Sequence, residues 1–125
     1  MKMNEWSILV VEDEPDGQEV VAGLLNHFHI SSTQAMSAEV ALDLLAQDTY
    51  TAVLIDIALP GMDGFELLEA IRSDERVSHL PCIAFTAYHS SLVKQRAVDA
   101  GFDAYFAKPL EDTAFIRALD NVINN

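Results

Sequence analysis

Five short apolar runs, alternating with segments of helical spacing, restrict this chain to very few architectures. "SILVV" (7–11), "TAVLIDI" (51–57), "CIAFT" (82–86) and "AYFA" (104–107) read as strands, with "ISST" (30–33) a weaker fifth. Between and after them, apolar residues recur every three or four positions. The stripes are Val20, Val21, Leu24, Leu25 and Phe28; Val40, Ala41, Leu44 and Leu45; Phe65, Leu68 and Ile71; Leu92, Val93, Ala97 and Val98; and Phe115, Ile116, Leu119, Val122 and Ile123. Strands that are apolar throughout are covered on both faces, and a parallel crossover needs a helix to do the covering. The expectation is an α/β domain with a doubly wound, five-stranded parallel sheet and five helices on its two faces. Ligands of such sheets bind beyond the carboxyl ends of the strands, where the strand order reverses.

One domain suffices for 125 residues, half of them apolar, and no Pro-, Gly- or Ser-rich stretch or internal repeat divides the chain. We expect a single domain over 1–125 with no output domain. Twenty acidic residues against seven basic ones leave a net charge of −13, which repels phosphate backbones and anionic membrane surfaces. Nucleic acid and membrane are therefore not expected partners. No apolar segment reaches the ~18 residues that span a bilayer, and the acidic start does not suit a signal peptide. With a single cysteine, Cys82, read as a buried inert strand residue, the expected location is cytoplasmic.

The polar residues that matter fall at strand ends. Glu12, Asp13 and Glu14 follow the first strand, Asp56 closes the third, Thr86 closes the fourth, and Lys108-Pro109 follows the fifth. If the first and third strands are neighbours, ~4.8 Å apart, their carboxylates share a small volume. Like charges that close force protonation or demand a cation. An all-oxygen ligand set favours a hard ion such as Mg2+, which takes one or two protein carboxylates and leaves room for a phosphate. A metal with one lysine and one hydroxyl is equipment for handling a phosphoryl group.

These residues carry a family resemblance. "VVEDE", "LIDIALPGMDG", "AFTA" and "DAYFAKP", in that order and each at a strand's carboxyl end, resemble the receiver domain of two-component response regulators, over essentially the whole chain. The resemblance implies the flavodoxin-like strand order 2-1-3-4-5. It implies that Asp56 accepts a phosphoryl group from a histidine kinase or histidine phosphotransfer protein. Asp13 and Asp56 would ligate Mg2+ together with the backbone carbonyl of Ala58, while Glu12, standing where many relatives have aspartate, would act through a bound water. Lys108 would pair with one phosphoryl oxygen, Thr86 with another, and Tyr105 would be the aromatic that changes rotamer. A cis Lys108-Pro109 bond is also implied. Output would be a binding event: a downstream protein recognising the face of helix 4, strand 5 and helix 5, or phosphorylation-dependent homodimerisation.

Plainer readings stand beside these. Asp56 alone could cap the turn that follows it, and "EDEPD" could be a solvated cluster at a helix start, with Asp13 inward and Asp16 outward. Pro60, Gly61, Asp63 and Gly64 need no role beyond the turn and the cap of the third helix. His27, His29, His79 and His89 show no ligand spacing, and Lys94, Arg96 and Arg117 read as solvated helix positions with a weak contact role. A haloacid-dehalogenase-like phosphatase also uses a strand-end aspartate with Mg2+, but wants a second acid where Ala58 stands. A flavodoxin-like cofactor binder wants a Ser-, Thr- and Gly-rich loop where this chain is acidic. A degenerate receiver would lack part of the residue set. Ala58 and Tyr88, two positions after Asp56 and Thr86, depart from common receiver choices and are expected to make the acyl phosphate long-lived.

Overall fold

A computed structural model describes residues 1–124 of the chain. After a short 3-10 turn at Met3–Glu5, five strands alternate with five helices: β1 (Ser7–Val11), α1 (Pro15–His27), β2 (Ser31–Ala35), α2 (Ala38–Gln47), β3 (Ala52–Asp56), α3 (Gly64–Ser73), β4 (Cys82–Thr86), α4 (Ser91–Ala100), β5 (Ala104–Ala107) and α5 (Asp112–Asn124). All strand pairs are parallel and the order is β2-β1-β3-β4-β5, the expected flavodoxin-like arrangement. The order reverses at β1, which places the crevice between the ends of β1 and β3.

Alternation along the strands sorts the core into two layers. Ile8, Val10, Leu54, Ile83 and Phe85 point to the face covered by α1 and α5, where they meet Val21, Leu25, Phe115 and Leu119. Leu9, Val11, Val53, Ile55 and Ala84 point to the other face, against Ala41, Leu45, Leu67, Leu68, Ile71 and Ala97 of α2, α3 and α4. The strands β1, β3 and β4 are thus buried on both sides, as their unbroken apolar runs require. The edge strand β2 is polar and only partly covered, which is why its sequence signal is weak.

Helix starts are specified locally. Ser37 and Ser90 accept hydrogen bonds from the backbone N–H groups of Val40 and Val93, and Asp63 and Glu66 form a reciprocal capping box at α3. The helical stripes are narrower than the sequence suggests. Val20 and Val98 are exposed, and Leu92 is 83% exposed. On α1 the inward face is set by Val21 and Leu25, and Val20 lies about 100° round the helix from Val21. On α4 the fully buried residue is the small Ala97, so the helix meets the sheet along a thin line. Arg96 is exposed, as expected of a solvated helix position, and its guanidinium also lies 3.9 Å from the centre of the Phe65 ring, a contact between α4 and α3.

Candidate functional site

Register brings the site together. Val11 pairs with Ile55, so Glu12 and Asp56 leave adjacent strands side by side. Thr86 pairs with Ala107, which delivers Lys108 one residue beyond, where its N–H donates to the Thr86 carbonyl at 2.9 Å. The Lys108-Pro109 bond is cis, as the resemblance implied. The Lys108 ammonium donates to Glu12 Oε1 at 2.7 Å and to Asp56 Oδ2 at 2.9 Å, joining three strand ends in one network. Asp13 completes the acidic group: ligand oxygens of Glu12, Asp13 and Asp56 all lie within 4.8 Å of one another.

The plainer reading of Asp56 also holds. Its Oδ1 accepts the N–H of Ala58 at 3.0 Å, capping the turn after β3, while Oδ2 faces Lys108. Gly61 serves that turn with a positive φ of 69°. Asp16 is exposed and Asp13 half-buried, the division expected for the acidic cluster. Ala58 and Tyr88 line one cavity of about 290 Å³ with Asp13, Asp56 and Lys108. Thr86 is buried and its Oγ1 accepts the N–H of Tyr88 at 3.0 Å. Tyr105 is half-buried, and its hydroxyl meets His89 Nδ1 at 2.9 Å. Nothing in the spacing of His89 announced that contact. Cys82 is buried, and burial pushes its thiol up to about 12, in keeping with an inert strand residue.

Electrostatics identify the strained member of the group. The Glu12 side chain is 1% exposed, and Oε2 is buried with no hydrogen-bond partner. Burial first, then the neighbouring Asp56, pushes Glu12 up to about 7, against the opposing pull of Lys108. Burial alone would lower the Lys108 ammonium, but its bonds to Glu12 and Asp56 outweigh that and the net shift is upward. Three carboxylates face one ammonium, and one buried carboxylate oxygen lacks a partner. The donor set of Glu12, Asp13 and Asp56 fits a hard divalent cation.

Because folding raises the Glu12 pKa, the folded protein binds more protons than the unfolded chain between about 4.5 and 7, so this group's contribution to stability is lost as pH rises through that window. In magnesium-free buffer, Glu12→Gln should flatten that fall and leave the variant more stable than wild type near pH 8, by on the order of 1–3 kcal/mol. Urea unfolding at a series of pH values reads the slope directly; parallel profiles for the two proteins would refute the assignment.

The arrangement defines a class: a flavodoxin-like α/β domain whose carboxyl edge gathers acids from two strands and a lysine from a third. The model of the response regulator receiver domain matches residues 8–120, and the chain belongs to that family. The polar-differentiation response regulator DivK of Brucella ovis is 28% identical over 119 residues, 95% of this chain and 97% of that protein. An uncharacterised protein of Leptolyngbya boryana is 36% identical over 113 residues, 90% of this chain and 86% of that protein. Among solved structures, the receiver domain of a sensor histidine kinase from Pseudomonas aeruginosa, with a magnesium ion coordinated in its active-site cleft, matches with a TM-score of 0.88 at 30% identity, covering 96% of this chain and 98% of that one. The domain is thus a signalling switch of the two-component type. Among the described residues, no helix is long and apolar enough to cross a membrane.

Proposed function

We propose that Asp56 accepts a phosphoryl group from the phosphohistidine of a histidine kinase or phosphotransfer protein, in a reaction that needs Mg2+ held by Asp13, Asp56, the Ala58 carbonyl and, through water, Glu12. The observation that carries this reading is the Lys108 ammonium lying within 2.9 Å of Asp56 and 2.7 Å of Glu12 in a site whose three acids outnumber it. A residual charge of about −2 suits one divalent cation, and the paired lysine is free to exchange a carboxylate for a phosphoryl oxygen. Magnesium, when bound, supplies charge that offsets the carboxylates and stabilises the transferring oxygens.

Asp56 attacks the phosphorus through a carboxylate oxygen. The new O–P bond replaces the P–N bond, and the pair of electrons leaves with the histidine nitrogen. No general base is needed, since the attacking group is a carboxylate and the step breaks no O–H bond. Thr86 then donates its hydroxyl to a phosphoryl oxygen and releases the Tyr88 N–H it holds in the resting protein. Tyr105 follows into the vacated space by giving up its bond to His89, a two-state change driven by one local charge event. Exposed Leu92 and Val98 on α4 support the face of α4, β5 and α5 as the surface that a downstream protein, or a second phosphorylated copy, reads.

The test uses acetyl phosphate and intact mass. One phosphoryl adduct should form with Mg2+, fail to form with a chelator, and be removed by hydroxylamine, which cleaves acyl phosphates. No adduct with both reagents present, or one that resists hydroxylamine, would overturn the reading. The lifetime of the adduct is a second prediction. Ala58 offers no group to orient an attacking water, so Ala58→Asn should lose its phosphoryl group several-fold faster than wild type, as should Tyr88→Glu at the same cavity. Decay followed by mass after removing the phosphodonor measures both; equal lifetimes would reject the role of these positions.

A further inference from the structure

Glutamate at position 12 poses a packing problem that Gly17 solves. The Glu12 backbone is pinned on both sides: its N–H donates to the Ala35 carbonyl at 3.0 Å, and its carbonyl accepts from Gln18 Nε2 at 2.6 Å. Its carboxylate is fixed at the other end by Lys108, 2.7 Å from Oε1. A side chain with one methylene more than aspartate must therefore fold between two fixed ends, inside a nearly fully buried volume. The room for that fold is the space over Gly17, in the first turn of α1. A Cβ there would overlap Glu12 Oε1 and stand 2.8 Å from Cδ and 3.1 Å from Cγ, closer than packed atoms tolerate.

We propose that Gly17 is a positioning residue for the metal site, whose missing side chain lets glutamate present its carboxylate among Asp13, Asp56 and Lys108. This rests on the magnesium reading above. An aspartate at position 12 would end one carbon short, without the Cδ and Oε1 that a Gly17 Cβ meets most closely and with only its Cγ at about the 3.1 Å contact, so the requirement for glycine is strongest with glutamate. Any larger residue displaces the carboxylate and the unpartnered Oε2 with it.

Calorimetric titration of the full chain with MgCl2 tests this in a double-mutant cycle. Gly17→Ala should weaken Mg2+ binding about tenfold, the lower end of what a lost supporting contact costs at metal sites. The same substitution in the Glu12→Asp background should change affinity by less than about twofold. Helix propensity alone predicts a different result: alanine is the better helix former, so a purely structural glycine gives a more stable protein with unchanged Mg2+ affinity. Wild-type affinity in Gly17→Ala, or an equal loss in both backgrounds, overturns the proposal. Should Gly17→Ala fold only when combined with Glu12→Asp, the coupling is supported; failure to fold in both backgrounds refutes it. Absence of Mg2+ binding by the wild type would instead sink the magnesium reading itself, and this inference with it.

Discussion

Asp56→Asn should bring phosphoryl incorporation to background under conditions in which the wild type is fully modified, a loss of more than about 10²-fold, as expected when a covalent nucleophile is removed. The substitution suits the test because it changes little else. An asparagine oxygen can still accept the Ala58 N–H that Asp56 Oδ1 accepts at 3.0 Å, so the turn after β3 keeps its cap. The amide removes one of the carboxylates crowded around Glu12, and the fold should be at least as stable without magnesium. Intact mass after acetyl phosphate treatment, beside a denaturation curve, separates the two effects. A folded Asp56→Asn protein that still gains a hydroxylamine-labile phosphoryl group would move the acceptor to another residue and dismantle the proposed chemistry.

Gly64→Ala should destabilise the protein by about 1–3 kcal/mol, the usual cost of forcing atoms into a filled interior. The first residue of α3 sits directly on the chain leaving β3. A Cβ at position 64 would lie 2.7 Å from Ile57 Cα and 2.8 Å from the Asp56 carbonyl oxygen. Both are backbone atoms that cannot swing aside as a side-chain tip can, and the Gly64 N–H is bonded to the Ile57 carbonyl at 3.1 Å. Relief must come from shifting the segment that carries Asp56, so slower phosphoryl uptake should accompany the lower stability. Gly23→Ala is the internal control. It stands on the exposed side of α1 with nothing near its would-be Cβ, and should gain up to ~1 kcal/mol from helix propensity. Urea unfolding of the two variants ranks them; a Gly64→Ala protein as stable as wild type would show that the contact between α3 and β3 yields readily.

Much of the architecture was readable along the chain because its signals are local. The unbroken apolar runs of β1, β3 and β4, the capping residue Asp63, and the three-to-four spacing between them are properties of neighbouring residues. Their order alone implies a parallel sheet with its polar residues at one edge. Glu12, Asp13, Asp56, Thr86 and Lys108 could therefore be assigned to one place before any coordinates. Local spacing overreached where a helix meets the sheet along a thin line, as at Leu92 and Val98, since periodicity records which residues could be covered and not how far the covering layer extends.

The remaining properties depend on groups far apart in sequence meeting at fixed distance. Lys108 reaches Glu12 across 96 positions, Tyr105 finds His89, and Gly17 makes room for a glutamate. Type and order of residues determined the sheet, the helices and the identity of the charged groups, because backbone periodicity and capping act over a few residues. Packing alone decided that Glu12 would be buried with one oxygen unpartnered and its proton held more tightly, because desolvation and charge coupling depend on what surrounds a group in space.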